Sequence, residues 1–341
     1  MATVPDMILP AHLAACGMEG GFAAMALDAV GAPLWRCELD ARAHDIVADP
    51  VRRRCVVIGR KPGRFALISD LAMGTPQRLL APLPGHTFDG HAVFSADGTR
   101  LFTTQSADRT QEGCIVVYEI ATGAIMVDFP SHGIEPHELI WAAPDVLAIG
   151  NGGIVDRHAA DAIESSLVLL SAEDGSVLRR WVLDDEWETL SIRHLALLPR
   201  GRIAFAMQDQ DAATDRRPLV GIADPAGDLS FLDIPAVLHR KLDGYIGSVA
   251  VDRTGTIIAA SAPRGGAALF WASSDHRYLG AVELPDVCGL AATAEPLTLR
   301  LSSGHGRQCD VTLDIIQGIV ATRDIAAATM QWDNHLAWIG N

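Results

Sequence analysis

The sequence has few basic residues for its acidic content, with 27 Lys and Arg against 42 Asp and Glu and a formal net charge of −15. Affinity for nucleic acid comes largely from Lys and Arg that displace condensed counterions, so nucleic acid and anionic membrane surfaces are excluded as partners. Long hydrophobic runs are missing too, because no stretch reaches the roughly 18 apolar residues that a membrane helix requires. The sequence therefore predicts no membrane span.

Cysteine is sparse, with six residues in 341 and no CxxC pair. This spacing excludes a disulfide framework and a zinc finger, and most of these cysteines are expected to be small buried hydrophobes. The glycine-rich stretches are too short for a phosphate loop, and no βαβ unit surrounds them, so no nucleotide cofactor is expected. No Gly-x-Ser-x-Gly motif supports a serine nucleophile.

Basic residues are absent from the N-terminal region, where Arg36 is the first. A secretory or twin-arginine signal needs a positively charged n-region, and this sequence does not contain one. The expectation is that the protein is cytoplasmic, or that an export signal was removed ahead of this sequence.

Long amphipathic helical periodicity is scarce, and short Val/Ile/Leu/Ala runs alternate with turn clusters such as Ser-Ala-Asp-Gly-Thr at 95–99. Residues 155–167 and 235–242 could each form a short helix, and the remainder is predicted to be β-strand. Seven strand beginnings share one pattern and lie 40 to 57 residues apart, close to the about 40 to 50 residues of a four-stranded propeller blade. These anchor positions are His44, His91, His137, His194, Ser248, Cys288 and His335.

The repeat predicts an all-β fold, a single seven-bladed β-propeller domain over residues 1–341. The last anchor is close to the C-terminus, so the seventh blade needs strands from elsewhere. Three strand-like runs at 7–10, 21–27 and 33–39 precede the first anchor. One C-terminal strand with three N-terminal strands would close the ring and remove the exposed sheet edges.

The anchors occupy equivalent positions on the innermost strands and are therefore predicted to face one central channel. Imidazole is a good ligand for iron, copper, zinc and nickel, and a thiolate adds affinity for softer ions. The predicted metal ligands are His44, His91, His137, His194 and His335, with Cys288 as an extra ligand. The alternative is that each histidine hydrogen-bonds within its own blade, as in the Gly-His signature of WD repeats.

Acidic residues stand two positions before four of the anchors, and they are predicted to accept the second ring proton of a ligating histidine or to bind a harder ion. They are Asp89, Glu135, Asp286 and Asp333. Arg193, next to His194, would instead bind an anion or a carboxylate. Together with polar loops after the second strands, these positions suggest a mouth for an anionic chelate or an acidic small molecule. The candidate ligand-binding residues are Arg60, Glu135, Asn151, Arg193, Ser248, Arg264 and His305.

Several motifs occur in order along nearly the whole chain, including Gly90-His91-x-Val-Phe-Ser-x-Asp-Gly, Gly133-Ile-x-Pro-His137-Glu-Leu, Ser191-Ile-Arg-His194-Leu and Trp332-Asp-Asn-His335-Leu. Together they resemble the bacterial DUF1513 family, whose activity is not characterised. Members often carry a twin-arginine signal and are encoded beside imelysin-like and dihaem oxidoreductase-like proteins. The resemblance implies a periplasmic role in handling a metal, iron in particular, with iron-uptake proteins as partners.

Three functions remain open at this point. The leading hypothesis is a periplasmic propeller that binds a transition metal (iron, copper or zinc) or its chelate at the channel mouth. The second is an enzyme acting on a small anionic substrate, with a channel histidine as general base and Arg193 or Arg264 holding the anion. The third is a scaffold whose rim docks a partner protein.

Overall fold

The fold is known from a computed structural model that describes residues 9–51, 53–156, 163–211, 217–325 and 329–340. Its 28 strands in these residues form seven four-stranded antiparallel sheets. The first three blades in chain order use β4 (Ala43–Ala48), β5 (Arg54–Gly59), β6 (Ala66–Asp70), β7 (Pro76–Leu80), β8 (His86–Phe94), β9 (Arg100–Ala107), β10 (Glu112–Glu119), β11 (Ile125–Ile134), β12 (Pro136–Ala143), β13 (Val146–Asn151), β14 (Ser166–Ser171) and β15 (Val177–Val182).

The next three blades continue in the same order, so that each blade is a simple up-and-down meander. They contain β16 (Leu190–Leu197), β17 (Ile203–Asp209), β18 (Val220–Ala223), β19 (Leu229–Phe231), β20 (Ser248–Val251), β21 (Ile257–Ala262), β22 (Ala267–Ala272), β23 (Tyr278–Glu283), β24 (Val287–Ala292), β25 (Thr298–Ser303), β26 (Gln308–Asp314) and β27 (Gly318–Ile325).

The seventh blade joins the two ends of the chain, as the sequence predicts. Strand β28 (Gln331–Trp338) pairs with β1 (His12–Met18), which is followed by β2 (Gly21–Leu27) and β3 (Pro33–Leu39). The all-β, seven-bladed fold is thus confirmed. Residues 7 and 8 of the strand predicted at 7–10 lie outside the described residues, and residues 9 and 10 are not in a strand. The first strand begins at His12, two residues after Pro10, whose nitrogen has no hydrogen for a sheet ladder.

Helices are few. A short α-helix at Ala236–Lys241 agrees with the prediction for 235–242, and single 3-10 turns lie at Asp185–Trp187 and Pro199–Gly201. Six of the thirteen residues of the helix predicted at 155–167, namely 157–162, lie outside the described residues, and its last two residues belong to β14. No helix in the described ranges is long and apolar enough to cross a membrane.

The hairpin turns show why the Asp-Gly clusters recur. Between β8 and β9 the carboxylate of Asp97 accepts hydrogen bonds from Ser95 Oγ at 2.6 Å and from the Thr99 backbone nitrogen at 3.0 Å. Gly98 then takes a positive φ of 69°, which a side chain would oppose. Such turns fix the register of each hairpin and therefore the depth at which each anchor enters the channel.

The hydrophobic core lies between neighbouring blades, where the apolar faces of adjacent sheets pack together. One cluster is built around Trp271, Phe205 and Met207, all fully buried, and extends over three successive blades. The Trp271 indole nitrogen donates to the Asp233 carbonyl oxygen at 2.8 Å, which satisfies its polar atom. The innermost strands contact one another in a closed ring, so the anchors surround a common axis.

Candidate metal centre

Irregularities in the inner strands place the histidines in the channel. The pairing of β4 with β5 shifts between Ala43 and Asp45, and the pairing of β12 with β13 shifts between Pro136 and Leu139. A bulge adds a residue to one strand and re-aims its side chains, so two successive residues can face the same side. The dipeptides His44-Asp45 and His137-Glu138 both lie at such shifts.

The other inner strands that carry histidines are irregular at the same level. The register of β8 shifts between Phe88 and Ala92, and that of β16 shifts between Ile192 and His194. In the closing blade, the β1–β28 ladder shifts between Ala14 and Cys16. The repeated bulges bring five imidazoles of five different blades to one level of the channel.

The five imidazoles lie close together around the channel axis. Nine of the ten pairs of ring centres lie 4.6 to 6.3 Å apart. Imidazoles bound to one ion at about 2.0–2.1 Å would have ring centres about 4.5 Å apart at right angles and about 6.4 Å apart on opposite sides. The observed distances cover this range, with His44 and His194 opposite each other at 6.3 Å.

Two groups of ring nitrogens are close enough to bind one metal ion each. The side-chain nitrogens of His44, His91 and His137 lie within 4.8 Å of one another, and so do those of His91, His194 and His335. His91 belongs to both groups. Either group could hold a metal ion. The histidines therefore face one another across blades, in contrast to the alternative in which each binds within its own blade.

Carboxylates orient two of the rings. His91 Nδ1 lies 3.2 Å from Asp45 Oδ2, and His194 Nδ1 lies 3.2 Å from Glu138 Oε2. Each carboxylate comes from the preceding blade, and Glu138 also accepts a hydrogen bond from the Leu195 backbone nitrogen at 2.9 Å. A carboxylate that takes the Nδ1 proton leaves Nε2 free to bind a metal, as in carboxylate–histidine–metal arrangements.

Burial and mutual repulsion favour the neutral form of four of the five imidazoles. Burial lowers the pKa values of His44, His137, His194 and His335 well below the usual histidine value, and repulsion from neighbouring histidines lowers them further. For His91, burial alone would lower the pKa, but the carboxylates of Glu138 and Asp45 outweigh it and raise the pKa. Neutral imidazole is the form that binds metals.

His137 has a different neighbour. Its Nδ1 lies 3.5 Å from a terminal nitrogen of Arg193, which is 1% exposed. Arg193 also pairs with Glu135 at 3.1 Å, and Glu135 with Lys61 at 3.5 Å. Lys61 in turn lies 2.8 Å from Asp89 Oδ1. A chain of alternating charges therefore runs from His137 towards the mouth.

The imidazoles of His335 and His44 contact each other directly. His335 Nε2 lies 3.3 Å from His44 Nε2, although the two residues are 291 positions apart in the sequence. This separation lies within the about 2.9–3.4 Å expected between two neighbouring nitrogens on one ion with 2.0–2.1 Å bonds. Both Nε2 atoms could therefore bind one ion side by side.

A cleft of about 990 Å³ opens above the histidines. His44, His137 and His194 form part of its floor, and it is lined further by Arg60, Lys61, Arg64, Asp89, Glu135, Arg193, Asp209, Tyr245 and Arg264. The predicted ligand-binding residues Arg60, Glu135, Arg193 and Arg264 thus meet at one mouth. The cations are interleaved with carboxylates, so the rim is mixed in charge rather than uniformly basic.

An adjoining side pocket of about 520 Å³ contains two other predicted residues, Cys288 and His305, with Arg42, Asp286 and Asp333. Cys288 belongs to neither histidine group, and its Sγ donates to the Asp286 carbonyl oxygen at 3.1 Å. Burial raises the pKa of the Cys288 thiol to about 12. The geometry therefore gives Cys288 no part in either histidine group.

The remaining predicted residues do not line the cleft. Ser248 is buried at the start of β20, whose pairing with β21 has no register shift. Asn151 is fully buried and holds Ser131, whose hydroxyl donates to Asn151 Oδ1 at 2.8 Å. Asn151 therefore joins two blades rather than lining the cleft.

The structure assigns the orienting carboxylates differently from the sequence analysis. Asp89, Glu135 and Asp333 pair with cations, with Arg42 bound to Asp333 at 2.5 Å. The histidine partners are instead Asp45 and Glu138, each one residue after an anchor. The bulges turn these residues inward. In the sequence, the acidic residue that directly follows each of the anchors His44 and His137 was the feature that could have indicated these partners.

The fold resembles solved structures that differ widely from this chain in sequence. One is a chain of the structure titled "Crystal Structure of Mitotic Checkpoint Complex" (TM-score 0.65, 13% identity, covering 99% of this chain and 88% of that chain). Another is Kuenenia stuttgartiensis hydrazine synthase (TM-score 0.65, 12% identity, 96% and 99% covered). A third is the WD40-repeat structure of RRP9 (TM-score 0.62, 14% identity, 86% and 82% covered). At these identities the likeness concerns the fold alone.

Comparison with curated proteins gives no match. The model of one protein family, described as "Protein of unknown function (DUF1513)", matches residues 37–339 and so includes all five histidines. The resemblance seen in the motifs is thereby confirmed, and the chain belongs to the DUF1513 family.

Proposed function

We propose that this protein binds one transition-metal ion, iron or copper, at the mouth of its propeller channel. The ligands are the Nε2 atoms of His44, His91, His194 and His335. The observation that carries the proposal is the pair of carboxylates at Nδ1 of His91 and His194, which point both Nε2 lone pairs into the imidazole cluster.

Unsatisfied polar atoms support a bound ion. Nε2 of His91 and Nε2 of His194 are both buried and have no hydrogen-bond partner. Leaving such an atom unpaired costs about 1–3 kcal/mol. A metal ion between the two rings would satisfy both nitrogens at once.

The donor set narrows the choice of metal. Neutral imidazoles suit iron, copper, zinc and nickel, whereas magnesium and calcium prefer oxygen ligands. The ring centres of His44 and His194 lie on opposite sides of the cluster, 6.3 Å apart, an arrangement that belongs to coordination numbers above the tetrahedral four that zinc usually takes. Iron and copper fit this arrangement, and a periplasmic part in iron acquisition is the extension that the family resemblance supports.

Metal analysis of protein purified without a histidine tag tests the proposal. After reconstitution with Fe(II) or Cu(II) and gel filtration, about one ion per chain is expected in the wild type. The double variant His91→Ala/His194→Ala should lose it, and His305→Ala, which changes a histidine of the side pocket, should keep it. Wild-type protein without metal, or a double variant with unchanged metal content, would contradict the proposal.

A further inference from the structure

His137 differs from the other histidines in the residue that faces its Nδ1. Nδ1 of His91 and His194 faces a carboxylate, which accepts a proton, whereas Nδ1 of His137 faces the guanidinium of Arg193 at 3.5 Å. Arginine has only donors and keeps its proton in proteins. Nδ1 of His137 is therefore the acceptor.

This contact fixes the tautomer of His137. An imidazolium donates from both of its nitrogens, so a ring whose Nδ1 accepts from Arg193 is neutral. A neutral imidazole whose Nδ1 accepts a hydrogen bond carries its single proton on Nε2. An Nε2–H cannot give a lone pair to a metal, so His137 can offer a hydrogen bond but not a coordinate bond from this atom.

The protein holds this arrangement firmly. Arg193 is 1% exposed and is anchored by Glu135, itself 2% exposed, through a contact of 3.1 Å. Lys61 lies 3.5 Å from Glu135 and 2.8 Å from Asp89. The two cations, Arg193 and Lys61, therefore balance the two buried carboxylates. The His137 backbone is also fixed, because Thr104 Oγ1 donates to its carbonyl oxygen at 3.0 Å.

The position of His137 shows what its Nε2–H could meet. The ring is half-buried and borders the cleft together with His44 and His194, whereas His91 and His335 are not among the cleft-lining residues. An ion held by the four imidazoles would have a further coordination position open towards the cleft, which borders His44 and His194. His137 borders the same part of the cleft, where its Nε2–H can donate a hydrogen bond.

We propose that the metal centre binds a small anion from the cleft as an exchangeable ligand, and that His137 Nε2–H donates a hydrogen bond to it. This inference rests on the proposed metal function. Arg193 sets the tautomer of His137 and adds a positive charge close to the bound anion. The site thus selects small anions that can bind the metal and still offer a lone pair to accept the hydrogen bond from His137. Azide is a convenient probe of this kind.

Azide titration of the Cu(II)-loaded protein, followed by its charge-transfer absorption and by electron paramagnetic resonance, tests the inference. The variants are His137→Leu, which removes the donor, and His137→Gln, whose amide keeps one. Copper content and melting temperature are measured for each. His305→Leu is the matched control at the side pocket.

The expected result is that all four proteins bind about one copper. His137→Leu should bind azide about tenfold more weakly than the wild type, the effect of one hydrogen bond. His137→Gln and His305→Leu should stay within about threefold of the wild type.

Three results would overturn the inference while leaving the metal function standing. They are wild-type azide binding too weak to detect, equal azide affinity in His137→Leu, or loss of copper from both His137 variants, which would make His137 a ligand. A wild type that takes up neither copper nor iron would instead overturn the metal function on which the inference depends.

Discussion

Gly90 leaves the space that the His44 ring occupies. A Cβ built on Gly90 would lie 2.5 Å from His44 Cδ2, and the φ of Gly90 is +108°, a value that side chains oppose. The Gly-His pair of the sequence therefore serves the neighbouring blade: the glycine admits His44 while the next residue, His91, enters the cluster.

Gly90→Ala is expected to displace His44 and so to lower copper affinity by at least about tenfold, with a loss of stability of about 1–3 kcal/mol from the strained backbone. Gly98→Ala is the matched control, because its φ is also positive at +69° and its nearest neighbour is Val51 Cγ2 at 3.4 Å. That variant should lose stability but keep its copper affinity. Competition with a chelator measures the affinity, and equal affinities in the two variants would contradict the explanation.

The carboxylates that orient His91 and His194 should increase the affinity of the site for its metal ion. Asp45→Asn and Glu138→Gln keep the shape of each side chain but remove the charge that draws the Nδ1 proton. Each is expected to lower metal affinity about 10–100-fold, the usual effect of losing such a partner.

Asp286→Asn provides the comparison for these variants. Asp286 stands two residues before an anchor, where the sequence placed the orienting carboxylates, but it contacts Cys288 and not a histidine. Its substitution should change metal affinity by less than about threefold. A larger loss in Asp286→Asn than in Asp45→Asn would show that the side pocket holds the metal.

The fold and the position of the cluster could be predicted from the sequence because both follow from spacing. The return of His44, His91, His137, His194 and His335 at one blade interval required them to share a channel. The orienting partners Asp45 and Glu138 could not be derived in the same way. An ideal strand points successive residues to opposite faces, and only the bulges, invisible in the spacing, turn both members of His44-Asp45 inward.

The seam where the ring closes should make stability depend on pH. His12 of β1 is buried and its Nε2 bonds the Ala292 carbonyl oxygen of the neighbouring blade at 3.0 Å. Burial and the charge of Arg300 lower its pKa to about 4. The unfolded chain takes up a proton on His12 below about pH 6.5, but the folded protein does so only near pH 4, so stability falls as pH drops between these values.

Comparison of the wild type with His12→Gln isolates this effect, because the other buried histidines titrate in both proteins. The difference in unfolding free energy between the two should shrink by about 2–3 kcal/mol from pH 7.5 to pH 4.5. Urea unfolding at the two pH values measures it. A constant difference would mean that His12 has the same pKa in the folded and the unfolded protein.

Arg300 should stabilise the same seam. Its guanidinium is 1% exposed, pairs with Asp310 at 2.8 Å and donates to the Ala29 carbonyl oxygen at 2.9 Å. Arg300→Met leaves Asp310 with Arg323 alone, and the unfolding free energy is expected to fall by about 3 kcal/mol. The exposed pair Arg307–Asp324 gives the control, since Arg307→Met should cost less than about 1 kcal/mol. Urea unfolding at pH 7.5 distinguishes the two.

The contact between His335 and His44 has a consequence for the order of events in the life of the chain. His44 lies on the first inner strand to be synthesised and His335 on β28, the last. The cluster is therefore incomplete until β28 has docked against β1, and we expect a growing chain to bind the proposed ion only weakly through the imidazoles already made. Full-affinity binding of that ion would follow ring closure, and the ion would then hold β28 against β1 and slow the reopening of the ring.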